Sequence, residues 1–146
     1  MMKQDHVRAN SSDSANQAID NEIISTLHSY TNASPDKLSQ RIEDIGKEYN
    51  VERVLELNAS ILAFTGVLLG AFVSTYWLIL PGLVLPLLAI HAVQGWCPPL
   101  PILRALKVRT QEEIDSENYS LKILRGDFDN LNKEQDVQKI LQLVRK

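Results

Sequence analysis

The sequence predicts an all-α protein, a two-helix transmembrane hairpin flanked by amphipathic cytoplasmic helices. Three observations predict it. Between Glu56 and Arg104 there is no Asp, Glu, Lys or Arg. That uncharged stretch divides into two apolar segments, Leu57 to Val73 and Trp77 to Gln94, each close to the roughly 20 residues of helix that a hydrocarbon core about 30 Å thick requires. The polar segments on either side carry apolar residues at helical spacing.

The averages hide this organisation. The chain has 146 residues and a formal charge of −3, and its mildly negative mean hydropathy combines two polar tails with one apolar centre. Residues 1–56 hold six Lys or Arg against ten Asp or Glu, and residues 104–146 hold nine against eight. Neither tail is basic enough to suggest nucleic acid as a partner. The first fifty residues lack the basic start, short apolar run and small-residue cleavage site of a signal peptide, so the first crossing is expected to act as its own uncleaved insertion signal. A single cysteine, Cys97, excludes an intrachain disulfide and suits polar parts that face a reducing cytoplasm.

Residues 1 to about 15 are polar throughout and are expected to be disordered, because they bury too little to offset the entropy of ordering. Ile19, Ile23, Leu27 and Tyr30, widened by Ile24, then predict a short amphipathic helix from about Ala15 to Tyr30. Ser34 and Pro35 mark a helix start. Leu38, Ile42, Ile45 and Tyr49 line one face after it, and Lys37, Gln40, Arg41, Glu43, Asp44, Lys47 and Glu48 fill the other. That helix either lies on the membrane surface or packs on other cytoplasmic helices.

Asn50 reads as a break and a new N-cap, with Val51 to Glu56 as the wet first turns of the first crossing. In that crossing Ala59, Ala63, Gly66 and Gly70 share a face. Close backbone approach at small residues supplies much of the packing between helices in lipid, and here the face serves either the second crossing of the same chain or a second subunit in a homodimer. Ser74 and Thr75 make the turn. Tyr76 and Trp77 anchor one interface and Trp96 the other, nineteen residues or about 28 Å of helix apart. Pro81 falls near the first turn of the second crossing, and Pro86 is expected to kink it. Trp96 to Pro101 reads as a stiff Pro-rich exit, and Ile102 to Val108 as a short interfacial helix. Thr110 to Glu113 has the form of a capping box for a helix with Ile114, Leu121 and Leu124 on one face, ended by Gly126. A last helix from about Asn132 would carry Val137, Ile140, Leu141 and Val144.

The expected organisation is therefore a polar tail with a short amphipathic helix over 1–33 and an amphipathic interfacial helix over 34–50. The hairpin follows over 51–96, with helices at about 51–73 and 77–95, and the Pro-rich exit and C-terminal cytoplasmic helices occupy 97–146. Arg41, Lys47 and Arg53 precede the first crossing, and Arg104, Lys107 and Arg109 follow the second, which puts both tails in the cytoplasm.

Glycine-rich phosphate loops, HExxH and GxSxG are absent from the sequence, so no enzyme activity and no cofactor are expected. The constellation that could carry chemistry is Cys97 with His91 and Gln94, which share a helix face just before it. An imidazole near a membrane thiol could support a reactive or persulfide-carrying group, or, with a second subunit, a metal site of two His and two Cys. The plainer alternative is a neutral His and Gln near a helix end and a Cys that packs as a small apolar residue, with no metal. Arg104 follows Cys97 after six residues, unlike the five-residue loop of rhodaneses, and the intervening prolines remove backbone donors that such a loop needs.

At GWCPPLPILRALKVRT, followed by EI, SLK and LRGDF, and upstream through VERVLELNAS, the chain resembles the YgaP-like transmembrane domain family of bacterial inner-membrane proteins, over roughly residues 34–128. The resemblance implies a two-helix hairpin in the bacterial inner membrane with both ends cytoplasmic, often as a homodimer. Some members carry a rhodanese domain in front, which links them to sulfur transfer, and many stand alone. The first fifty residues here have neither the length nor the active-site Cys of such a domain. The expected function is that of a small integral inner-membrane protein acting as a structural or interaction unit, its partners the lipid bilayer and a further membrane or cytoplasmic protein. The alternative is a sulfur-relay or small-anion transport element built around Cys97 and an oligomer interface.

Overall fold

The computed structural model describes residues 5–129, and every regular element among them is helical. In chain order these are α1 (His6–Ala9), α2 (Asp13–Tyr30), α3 (Pro35–Gly46), α4 (Val51–Phe72), a 3₁₀ turn (Thr75–Leu78), α5 (Ile79–Gln94), α6 (Leu100–Ala105) and α7 (Gln111–Arg125). They divide into two units, residues 5–19 with 49–111 and residues 20–48 with 112–129.

The first unit is built on the α4–α5 hairpin. Asn50 caps α4 as expected, its side-chain oxygen accepting from the Arg53 amide at 2.8 Å. The Val51 amide donates to the Arg109 carbonyl at 3.0 Å, and Asn50 Nδ2 donates to Gln111 Oε1 at 2.7 Å. The first turn of α4 is thereby tied to the strand of chain beyond α6. With 22 residues α4 is about 33 Å long. The connection to α5 is wound rather than extended: Tyr76 and Trp77 lie in the 3₁₀ turn, and α5 begins at Ile79, two residues later than the sequence suggested. Pro81 is its third residue, and the helix runs through Pro86.

Residues 5–12 are not the disordered tail that their composition predicts. Asp5 Oδ1 caps α1 by accepting from the Arg8 amide at 2.9 Å, and its Oδ2 accepts from the Thr110 hydroxyl at 2.6 Å. Val7 is buried in a cluster with Val51, Leu55, Cys97 and Leu100. One apolar residue orders the segment because the rest of that core is supplied from elsewhere in the chain. The Pro-rich exit also differs from expectation. Helix α6 starts at Leu100, with Pro99 in the cap position and Pro101 in the first turn, where a helix needs no N–H. It ends at Ala105 rather than Val108.

In the second unit Leu38, Ile42 and Ile45 of α3 pack with Ile114 and Leu121 of α7, and Leu27, Tyr30 and Ala33 lie against them. The apolar face of α3 is thus buried within the second unit. Ser34 occupies the N-cap position in extended backbone, but its hydroxyl makes no capping bond, and Pro35 at the first position sets the start. The helix ends at Gly46, so Tyr49 is off the stripe and half-exposed, with the Arg53 guanidinium 4.5 Å from its ring centre. Leu124 is likewise exposed. Gly126, at φ +83°, follows the end of α7 in the left-handed region that a helix terminus favours. The helix expected from Asn132, with Val137, Ile140, Leu141 and Val144, lies outside the described residues.

Candidate functional site

Cys97 is placed by the close of α5. Gly95, at φ +75°, ends that helix, its amide donating to the His91 carbonyl at 2.7 Å. A Cβ at this position would stand 2.5 Å from the His6 carbonyl carbon and 2.7 Å from its oxygen, so α1 approaches α5 only because the residue is glycine. Asn10 seals the same junction, donating to the carbonyls of His6 and Gln94, both at 2.8 Å. Two residues on, Cys97 is 7% exposed and sits among Val7, Val51, Leu55 and Leu100.

Burial pushes the Cys97 thiol pKa up, and no charged group or hydrogen bond pulls it down. The surroundings that activate a thiol, a neighbouring cation or a helix N-terminus, do not act on it. His91 is also buried, and its Nδ1 has no hydrogen-bond partner. The Gln94 residue is exposed, and its backbone carbonyl is what holds α1. Among the described residues no group of three or more His, Cys, Asp or Glu is arranged to hold a metal ion.

The small-residue face of α4 is used within the chain. A Cβ on Gly66 would meet Pro81 Cδ at 2.5 Å and Leu80 Cβ at 2.8 Å, and one on Gly70 would meet the Leu78 side chain at 2.6 Å. Ala59 is buried and Ala63 half-buried along the same line. Of the two alternatives for this face, the second helix of the same chain therefore takes its glycine end. The remaining surface of the hairpin is apolar and open: Phe64, Phe72, Val73, Ile79, Leu83 and Val93 are each more than half exposed. Tyr76 is 90% exposed, while Trp77 and Trp96 are each somewhat under half exposed.

Sequence reasoning missed the buried polar groups. Arg104 is 2% exposed, its guanidinium donating to the Val108 carbonyl at 3.1 Å and to Asn16 Oδ1 at 2.8 Å. In the second unit Arg41 pairs with the fully buried Glu117 at 2.8 Å. The signal was present in the spacing. Arg104 follows the buried Leu100 by four residues, and Glu117 lies between Ile114 and Leu121 on the apolar stripe of α7.

Compared with models of protein families, with curated proteins and with solved structures, the chain matches none.

Proposed function

We propose that this chain is a small integral membrane protein in which α4 and α5 form a transmembrane hairpin, with both tails on the cytoplasmic side, serving as a structural or interaction unit. One observation carries the reading. Both apolar helices are long enough to cross a bilayer, yet only 11% of the residues in each apolar window are buried. The core helix of a water-soluble protein hides its apolar surface; this hairpin leaves it open on nearly every side, which water penalises at about 25 cal/mol for each Å². A bilayer removes that cost. The hairpin, its cytoplasmic ends and placement in a bacterial inner membrane are also what the resemblance to the YgaP-like transmembrane domain family implies.

Two helices enclose no pore, so transport would require an oligomer. Nothing around Cys97 favours a sulfur relay, since the thiol is buried and its pKa raised. A homodimer would need a face other than Gly66 and Gly70. The test is fractionation of cells that express the full chain, followed by alkaline carbonate washing of the membranes. Retention in the membrane pellet is expected. Recovery in the soluble fraction, or release by carbonate, would overturn the reading.

A further inference from the structure

An apolar groove of about 370 Å³ lies within the second unit, between the C-terminal half of α2 and the end of α7. Ile24 and Leu27 form one wall and Ile123 and Leu124 the other, with His28 completing the lining on the α2 side. Ile24, Ile123 and Leu124 are 52%, 63% and 41% exposed. An apolar space of roughly 150 Å³ takes one benzene ring, so this groove has room for about two aliphatic side chains. The hydroxyls at its edge are committed to their own helices: Thr31 donates to the Leu27 carbonyl at 3.2 Å and Ser120 to the Ser116 carbonyl at 2.7 Å. Among the described residues no Asp, Glu, Lys or Arg lines it. An apolar occupant fits such a lining better than a charged one.

The course of the chain points to one. Helix α7 closes on Gly126, at φ +83°, whose amide donates to the Ile123 carbonyl at 3.0 Å while the Asp127 amide donates to the Lys122 carbonyl at 3.1 Å. This paired closure turns the chain off the helix axis directly behind the two α7 residues that wall the groove. Residues 130–146 follow, and they carry the stripe Val137, Ile140, Leu141 and Val144 with Lys139 and Gln142 on the opposite face. The six residues from Gly126 to Leu131 would join α7 to the helix that the sequence predicts from Asn132, within the roughly 2–8 residues that connect antiparallel helices. A tethered segment meets the groove at an effective concentration on the order of millimolar, which any separate chain must exceed.

We propose that residues 130–146 occupy this groove, with Val137, Ile140, Leu141 and Val144 set against Ile24, Leu27, Ile123 and Leu124. The proposal stands apart from the membrane reading, because no residue of the apolar hairpin takes part in it.

The test is disulfide trapping in the full chain, held in phosphatidylcholine nanodiscs, or in plain buffer if the chain needs no bilayer. In a Cys97→Ala background Ile24→Cys is combined with one stripe substitution, Val137→Cys, Ile140→Cys, Leu141→Cys or Val144→Cys, or with Lys139→Cys or Gln142→Cys as controls. Mild oxidation should close an intramolecular disulfide at one or more stripe positions about fivefold faster than at either control, giving a monomer of altered mobility on a non-reducing gel. A dimeric product would assign the groove to a second copy, and equal rates on the two faces would place the segment elsewhere; either result overturns the proposal. A second measurement needs no engineered thiol. Leu141→Asp should move the methyl resonances of Ile24 and Ile123, while Gln142→Asp, with the same charge at the next position, should leave them in place. Methyl resonances that do not respond to Leu141→Asp would also overturn it.

Discussion

Gly95 meets two demands at once, a left-handed backbone and contact with the His6 main chain. An alanine there would strain φ by about 1 kcal/mol and also push α1 from its seat, so Gly95→Ala should cost about 2–3 kcal/mol. Chemical denaturation in detergent measures it, and a loss below about 0.5 kcal/mol would mean that α1 yields freely. Cys97, seated in the core that α1 completes, should alkylate slowly at neutral pH. Its pKa is raised by burial, so between the ordinary thiol value and the raised one the unfolded chain sheds a proton that the folded chain keeps. Stability is therefore intact below the ordinary thiol pKa and falls as pH climbs through the raised value, and Cys97→Ala should flatten that alkaline limb. Rapid iodoacetamide labelling of the folded protein at pH 6 would contradict the seat assigned to the thiol. At this scale the sequence disclosed Asn50 and Gly126, whose roles are local. It concealed Asp5 and Val7, whose partners Thr110 and Cys97 lie about ninety or more residues away in a chain where polar composition alone spoke for disorder.

Periodicity carries the elements whose partners are themselves helical. The stripes of α3 and α7 were legible because each buries residues three and four apart, while α2 buries Ile19 alone and leaves Ile24 exposed; α1 is too short for a period, and the start of α6 was masked by prolines that belong to its first turn. The packing of α4 on α5 was legible as a small-residue face but not as a choice of partner, since a glycine in sequence does not say what approaches it. A paired substitution tests the choice. Gly66→Ala places a Cβ against Pro81 and Leu80 and should lower hairpin stability by about 2 kcal/mol; Gly82→Ala meets nothing within 4 Å and should be neutral or stabilising by up to about 1 kcal/mol. Equal effects of the two on thermal stability in detergent would mean that Gly66 is not at the helix contact. In the second unit the Arg41–Glu117 pair links α3 to α7 beside their shared cluster. Arg41→Met keeps the stem but takes the Arg41 cation away from a buried carboxylate, and should cost on the order of 2 kcal/mol. Chemical denaturation measures it, and a loss below about 0.5 kcal/mol would mean that the pair adds little to the packing of the stem.

At the scale of the molecule, charge and apolar surface are sorted along the chain, and that sorting sets the orientation of the proposed hairpin. The 47 residues between Glu56 and Arg104 contain no Asp, Glu, Lys or Arg, and both ends of the hairpin return to charged chain. The turn at Ser74 to Leu78 carries exposed Tyr76 and half-exposed Trp77, side chains suited to a headgroup region and free of any charge that would resist translocation. Carrying either tail across instead would move Arg41, Lys47 and Arg53, or Lys107 and Arg109, to the outer face against the positive-inside bias. The buried Arg104 and Glu117 would have to fold on the far side as well. Both tails should therefore share the cytoplasmic face and the turn should lie outside. In a Cys97→Ala background, which removes the native thiol, a cysteine at the exposed Thr75 should react with an impermeant maleimide in intact cells. One at the exposed Ser29 should react only after the membrane is opened. Labelling of Ser29→Cys from outside, or protection of Thr75→Cys in both conditions, would reverse or abolish the assigned topology.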